Sequence, residues 1–115
     1  MRQRPQFAQG NTPSMTRNAI DLIHLARQTG GDDALAGEVL RLFAARAPAD
    51  CARLRTATGP ERREIAHLLV GSARAIGADE VARQAAAIEA GGGDAGHLEA
   101  AIAEALAFIS AHLAR

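Results

Sequence analysis

The sequence predicts an all-α protein, an antiparallel up-and-down four-helix bundle with a short additional N-terminal helix. Three observations lead there. Alanine, arginine and leucine are, with glycine, the commonest of the 115 residues, and these three are good helix formers. Apolar residues recur at three- and four-residue steps along most of the chain. The breaks between these stretches are short and carry glycine, proline or aspartate, so consecutive helices should pack as antiparallel neighbours. With three Phe and no Trp or Tyr, the core must be aliphatic. Alanine on inner faces would let the helices approach closely.

Residues 1–15, MRQRPQFAQGNTPSM, hold Pro5, Gly10 and Pro13 without periodicity. They read as a flexible N-terminal tail, and 16–115 as one helical bundle domain with one core. A first helix is expected over about 18–29. Ile20, Ile23 and the set Leu22, Leu25 and Ala26 give it two apolar edges, and Asp21 is its N-cap or lies in its first turn. Gly30-Gly31 ends it. Asp32 or Asp33 caps the second helix. Its stripe is Ala36, Leu40, Phe43, Ala47, Cys51 and Leu54. Pro48 lies inside that stripe, where it removes a backbone bond and crowds the carbonyl of Ala44. Because the stripe keeps phase, the pattern reads as one kinked helix over about 33–57, with two separate helices as the alternative.

Gly59-Pro60-Glu61 starts a third helix, with proline at the first position and an acid in the first turn. It runs over about 60–76 and Gly77 stops it. The fourth, about 79–90, carries Val81, Ala85 and Ile88. After Gly91-Gly92-Gly93, Asp94 caps the last helix, about 95–114, striped by Leu98, Ile102, Leu106, Ile109 and Leu113.

Composition excludes some functions. A formal net charge of zero argues against a general nucleic-acid binder. All basic residues are arginine. Cys51, the single cysteine, allows no internal disulfide and falls on an apolar stripe, so it is expected in the core. No apolar run approaches the about 20 residues of a membrane span. No apolar h-region follows the N-terminus. The expected location is the cytoplasm.

The chemistry concentrates in RREIAHLLVGSARAIGA, residues 62–78. Ile65, Leu69 and Ile76 share one face of this helix, with Leu68 and Ala73 on its borders. His67, Val70, Gly71 and Arg74 follow the i, i+3, i+4, i+7 rule on another. If the first face is core, His67 points to solvent. Gly71 then stands out, since an interior helical glycine costs about 1 kcal/mol relative to alanine. Close approach of a partner surface would justify it. Histidine titrates near neutrality, so its imidazole offers a lone pair at physiological pH. The other histidines, His24, His97 and His112, are too scattered for a metal site. GSA on a helix is not a phosphate-binding loop, because no glycine-rich turn precedes a Lys-Ser/Thr pair. Arg53, Arg55, Arg62 and Arg63 cluster at one helix junction, either as a solvated face or as a surface for an acidic partner.

The segment HLLVGSARAIGA, 67–78, resembles the motif of the histidine-containing phosphotransfer (HPt) family, H-x-L-K-G-S-A-x-x-x-G-A. The matching residues are His67, Leu69, Gly71, Ser72, Ala73, Gly77 and Ala78. Residues 20–43 are similar to the opening of such domains: a short helix, a Gly-Asp turn, then Leu40 and Phe43 three residues apart. The resemblance covers about 20–113 and looks like a single-domain protein. It implies a four-helix bundle carrying a phosphoryl group on His67, exchanged with the aspartate of receiver domains in response regulators or hybrid histidine kinases. It implies a phosphocarrier without kinase activity of its own and without a cofactor; Mg²⁺ comes with the receiver. A monomer that binds neither nucleic acid nor membrane is expected.

The resemblance also marks supporting residues. Glu89 falls where the family carries Gln or Glu hydrogen-bonded to the histidine, and would fix ring orientation and tautomer; it is equally a solvated acid at a helix end. Val70 stands where the family has lysine. Either Arg63 or Arg74, on roughly the same face as His67, supplies the missing charge, or transfer is weakened and the domain serves as an adaptor on a receiver or kinase. An exposed Val70 beside Gly71 would enlarge an apolar patch bordered by Leu68.

Overall fold

The computed structural model describes residues 18–114; the tail expected over 1–15 lies outside them. Five helices follow one another, and no strand occurs among the described residues. Helix α1 spans Leu22–Gln28, α2 Asp33–Thr56, α3 Gly59–Ile76, α4 Asp79–Glu89 and α5 Ala95–Leu113.

Aspartates begin three of them. Asp21 caps α1 by accepting bonds from the amides of Ile23 and His24, each at 3.1 Å. Asp32 accepts from Leu35 at 3.0 Å and Asp94 from Gly96 at 2.6 Å. Each satisfies a backbone donor that the first helical turn leaves open. Helix α1 is shorter than its apolar pattern suggested. The Asp21 amide donates to the carbonyl of Gly77 at 2.8 Å, and its backbone is extended. The chain is therefore pinned to the end of α3 before α1 can start.

Helix α2 is continuous through Pro48, which settles the choice between one helix and two. The ring faces solvent, while Leu40, Phe43, Ala47, Cys51 and Leu54 stay buried on the opposite side. Cys51 is in the core, as expected; burial, reinforced by the Glu99 carboxylate, pushes its thiol above the ordinary value.

Helices α2 to α5 form a ring in which each packs on its sequence neighbour and α5 returns to α2. The connections after α2 and α3 are two residues each, 57–58 and 77–78, which enforces antiparallel neighbours. Helix α1 lies against α3 and, more lightly, α2. The core is aliphatic: Ile20, Leu40, Leu54, Leu69, Ile76, Ile88 and Leu98 are all at most 2% exposed. Such side chains contribute about 1.5–3 kcal/mol each on burial, the stabilisation that a chain poor in aromatics must draw from many small contacts. None of the described helices is long and apolar enough to cross a membrane.

One face assignment is corrected. Val70, expected beside His67 in solvent, is 4% exposed. The buried face of α3 is Ile65, Ala66, Leu69, Val70, Ala73 and Ile76, a broad stripe rather than a narrow one. The pairing of α3 with α4 is the most extensive in the bundle. Alanines on both sides, Ala66 and Ala73 against Ala82 and Ala85, are buried and let the two axes draw close. That closeness takes Val70 out of water. Leu68, assigned to the border of the apolar face, is instead 58% exposed.

Candidate functional site

His67 stands in the middle of α3, with 70% of its side chain exposed. Its Nδ1 lies 2.7 Å from Oε2 of Glu89, the last residue of α4. An ionised carboxylate can only accept, so Nδ1 carries the proton and donates. In the neutral imidazole Nε2 is then the nitrogen with the free lone pair, and among the described residues nothing bonds it. The ring is held from one side and presents its lone pair to solvent on the other. Glu89 is half-buried, with 35% of its side chain exposed, so its carboxylate is less mobile than a surface acid.

Gly71 lies one turn beyond His67 on the same face. A methyl group added there would meet nothing within 4 Å. The glycine thus answers no packing demand of this chain, and the surface above it is bare backbone. Gly77 is different. Its φ is +78°, and an added methyl would come within 2.8 Å of the Asp21 carbonyl. It ends α3 in the left-handed region, as glycine alone does readily, and gives Asp21 room to dock. Ala78, the last residue of the motif, is fully buried. Two glycines of one motif therefore have separate causes: one keeps a surface open, the other builds the chain reversal.

The four clustered arginines also separate. Arg53 faces Asp50 at 3.6 Å and Glu61 at 4.0 Å. Arg55 pairs with Glu99. Arg62 donates to the carbonyl of Leu54 at 2.6 Å, fastening the start of α3 to the end of α2. Arg63 has no such partner among the described residues, and neither does the side chain of Arg74. Both are exposed on the His67 face of α3. The structure thus brings His67, Glu89, Gly71, Arg63 and Arg74 to one surface, and removes Val70 from it.

Leu68 turns to the other flank, into an open groove of about 320 Å³ between α2 and α3. Leu42, Phe43, Ala75, Arg46 and Arg53 contribute to its walls. Leu42 is 58% exposed, as Leu68 is. The sequence reading did not single out Leu42. Its signal was a leucine off the buried stripe of α2, next to Phe43. His24, which the sequence set aside only as too scattered for a metal site, donates through Nε2 to the Arg74 carbonyl at 2.8 Å and so occupies an acceptor at the end of α3. His112 stacks on Phe108 with ring centroids 6.2 Å apart, away from this surface.

No family model matches the sequence, and no curated protein does. Among solved structures, the crystal structure of the histidine phosphotransferase ShpA from Caulobacter crescentus is similar to this chain. The two are 30% identical, with a TM-score of 0.70, and the match covers 84% of this chain and 91% of that one. With an exposed histidine held by a carboxylate, the motif around it and a solved relative of nearly the same extent, the chain belongs to the histidine-containing phosphotransfer family.

Proposed function

We propose that this protein is a phosphocarrier of a two-component phosphorelay, moving a phosphoryl group between His67 and the aspartate of receiver domains. The observation that carries the reading is the bond from His67 Nδ1 to Glu89, which leaves Nε2 as the nucleophile. The Nε2 lone pair attacks the phosphorus of a receiver's aspartyl phosphate. A P–N bond forms, the P–O bond to the aspartate breaks, and its electron pair returns to the carboxylate. Positive charge develops on the ring as the P–N bond forms, and the Glu89 carboxylate beside Nδ1 stabilises it. The reverse reaction returns the group to a receiver. Such a transfer through a loose transition state needs positioning and charge more than further functional groups. The chain requires no cofactor for this; Mg²⁺ belongs to the receiver.

The partners are receiver domains of response regulators or hybrid histidine kinases. They meet a monomer through the surface that includes His67, the bare helix at Gly71 and the apolar groove at Leu68 and Leu42. The test uses each receiver of the source organism, phosphorylated with labelled phosphate. Label should pass to the wild type as acid-labile phosphohistidine and not to His67→Gln. Label on the variant, or none on the wild type with any receiver, sinks the proposal.

A second reading is an adaptor that binds a receiver or kinase without carrying phosphate. The buried Val70 at the family's lysine position favours it. It predicts receiver binding that survives His67→Gln, with no phosphohistidine on the wild type.

A further inference from the structure

We infer that Arg74, reaching back along α3 over Gly71, supplies the positive charge that the family takes from the lysine replaced here by Val70. The inference rests on the phosphocarrier reading. Val70 is in the core, so no cation stands three residues after His67. Two exposed arginines without ion-pair partners remain on this face, Arg63 before the histidine and Arg74 after it. Helix geometry distinguishes them. Every Cα–Cβ bond of an α-helix tilts toward the N-terminus, so a side chain covers the turn before its own Cα. Arg63 therefore extends away from His67, toward the start of α3. Arg74 extends toward it. A lysine at the Val70 position would lean the same way, from the same side.

Distance and clearance agree. Arg74 lies seven residues beyond His67, about 10 Å along the axis. An extended arginine spans more than one turn of about 5.4 Å, and a phosphoryl group on Nε2 stands out from the ring to meet it. The residue between them on this face is Gly71, where an added side chain would occupy space that is now empty. The guanidinium has a clear track along bare backbone. Its planar donors suit two phosphoryl oxygens at once. The Arg74 carbonyl is bonded by His24, which ties the base of this arginine to α1. On phosphorylated His67, Arg74 is a catalytic residue in the strict sense, because it touches the transferred group.

The experiment uses the full chain and phosphoramidate, a small P–N donor that transfers its phosphoryl group and leaves as ammonia. It follows phosphohistidine formation and, on the product, the ³¹P shift against pH. Arg74→Ala should slow formation about ten-fold, less than the 10²–10³ lost with a buried donor because water screens this site. It should also move the final ionisation of the phosphoryl group to higher pH, since the guanidinium favours the dianion. Arg74→Lys should restore part of both effects. Arg63→Ala should slow the reaction less and leave the ³¹P titration in place. A ³¹P titration that moves with Arg63→Ala instead, or with neither variant, overturns the inference, while label passing from a phosphorylated receiver to wild-type His67 upholds the phosphocarrier reading. No label on the wild type from any phosphorylated receiver, or equal label on His67→Gln, overturns both.

Discussion

Nδ1 of His67 donates to Oε2 of Glu89 across 2.7 Å, joining the middle of α3 to the last residue of α4. One bond thereby selects the nitrogen that faces solvent. It crosses the most extensively packed helix pair of the bundle, so the pairing that accompanies the burial of Val70 also sets the histidine's orientation.

Glu89 should matter through this bond more than through fold stability. Glu89→Gln keeps an acceptor for Nδ1–H but loses the charge; Glu89→Ala loses both. Phosphohistidine formation should fall a few-fold with Gln and about 10–100-fold with Ala, by analogy with carboxylates that orient metal-binding imidazoles. Nitrogen-15 shifts of the ring should show the Nδ1–H tautomer retained with Gln and mixed with Ala. An unchanged tautomer in Glu89→Ala would remove the orienting role.

The two motif glycines should respond in opposite directions. Gly71→Ala should stabilise the fold by up to about 1 kcal/mol, read as a rise in Tm of roughly 4–8 °C, while slowing phosphotransfer about ten-fold by crowding the approach. Gly77→Ala should destabilise by about 2–4 kcal/mol, through its positive φ and loss of the bond from Asp21. Calorimetry on the two variants gives the sign of each. A destabilised Gly71→Ala contradicts the reading of Gly71 as a surface device.

Val70 should behave as a core residue. Val70→Ala should cost about 1–3 kcal/mol in urea unfolding, from lost burial and the space left behind. Val70→Lys should cost a similar amount, because the stem stays in the seam while the ammonium reaches outward; in that position it borders His67 and should speed phosphotransfer. A change below about 0.5 kcal/mol in Val70→Ala, the size expected at an exposed site, would put the residue back on the surface.

Leu42 and Leu68 offer the converse test. Both are 58% exposed, so Leu42→Ser and Leu68→Ser should change stability by less than about 0.5 kcal/mol. Against a receiver that exchanges label with this protein, each should weaken binding by about 1–2 kcal/mol, roughly ten-fold in Kd. Calorimetric titration measures it. Equal affinity in both variants would place the docking surface elsewhere.

The sequence by itself determined the order of the helices, most of their bounds and the histidine that stands out among them. Asp94 announced a helix start because a capping carboxylate acts on amides two or three residues away, while the sequence left Asp21 as cap or first turn and Asp32 or Asp33 as cap, choices the structure made for Asp21 and Asp32. Gly77 announced a helix end for an equally local reason. His67 and Gly71 stood out because a polar residue and a costly glycine interrupt an apolar period. Glu89 fell at the expected place by resemblance, but its bond to His67 depends on α4 folding back beside α3.

What only the tertiary structure decided is how wide the buried face of α3 is. A helical wheel divides one helix into faces but does not know how near its neighbour comes. Alanines on α3 and α4 bring the axes together, so the buried arc extends past Ile65, Leu69 and Ile76 to take in Val70. Leu68, on the opposite edge, remains outside beside Leu42. The same packing sorted the arginines. Arg53, Arg55 and Arg62 found partners on other helices or on the chain end before α3, while Arg63 and Arg74 found none. Local order follows from side chains a few residues apart; the site's electrostatics follow from which helices meet, which only packing of the whole chain sets.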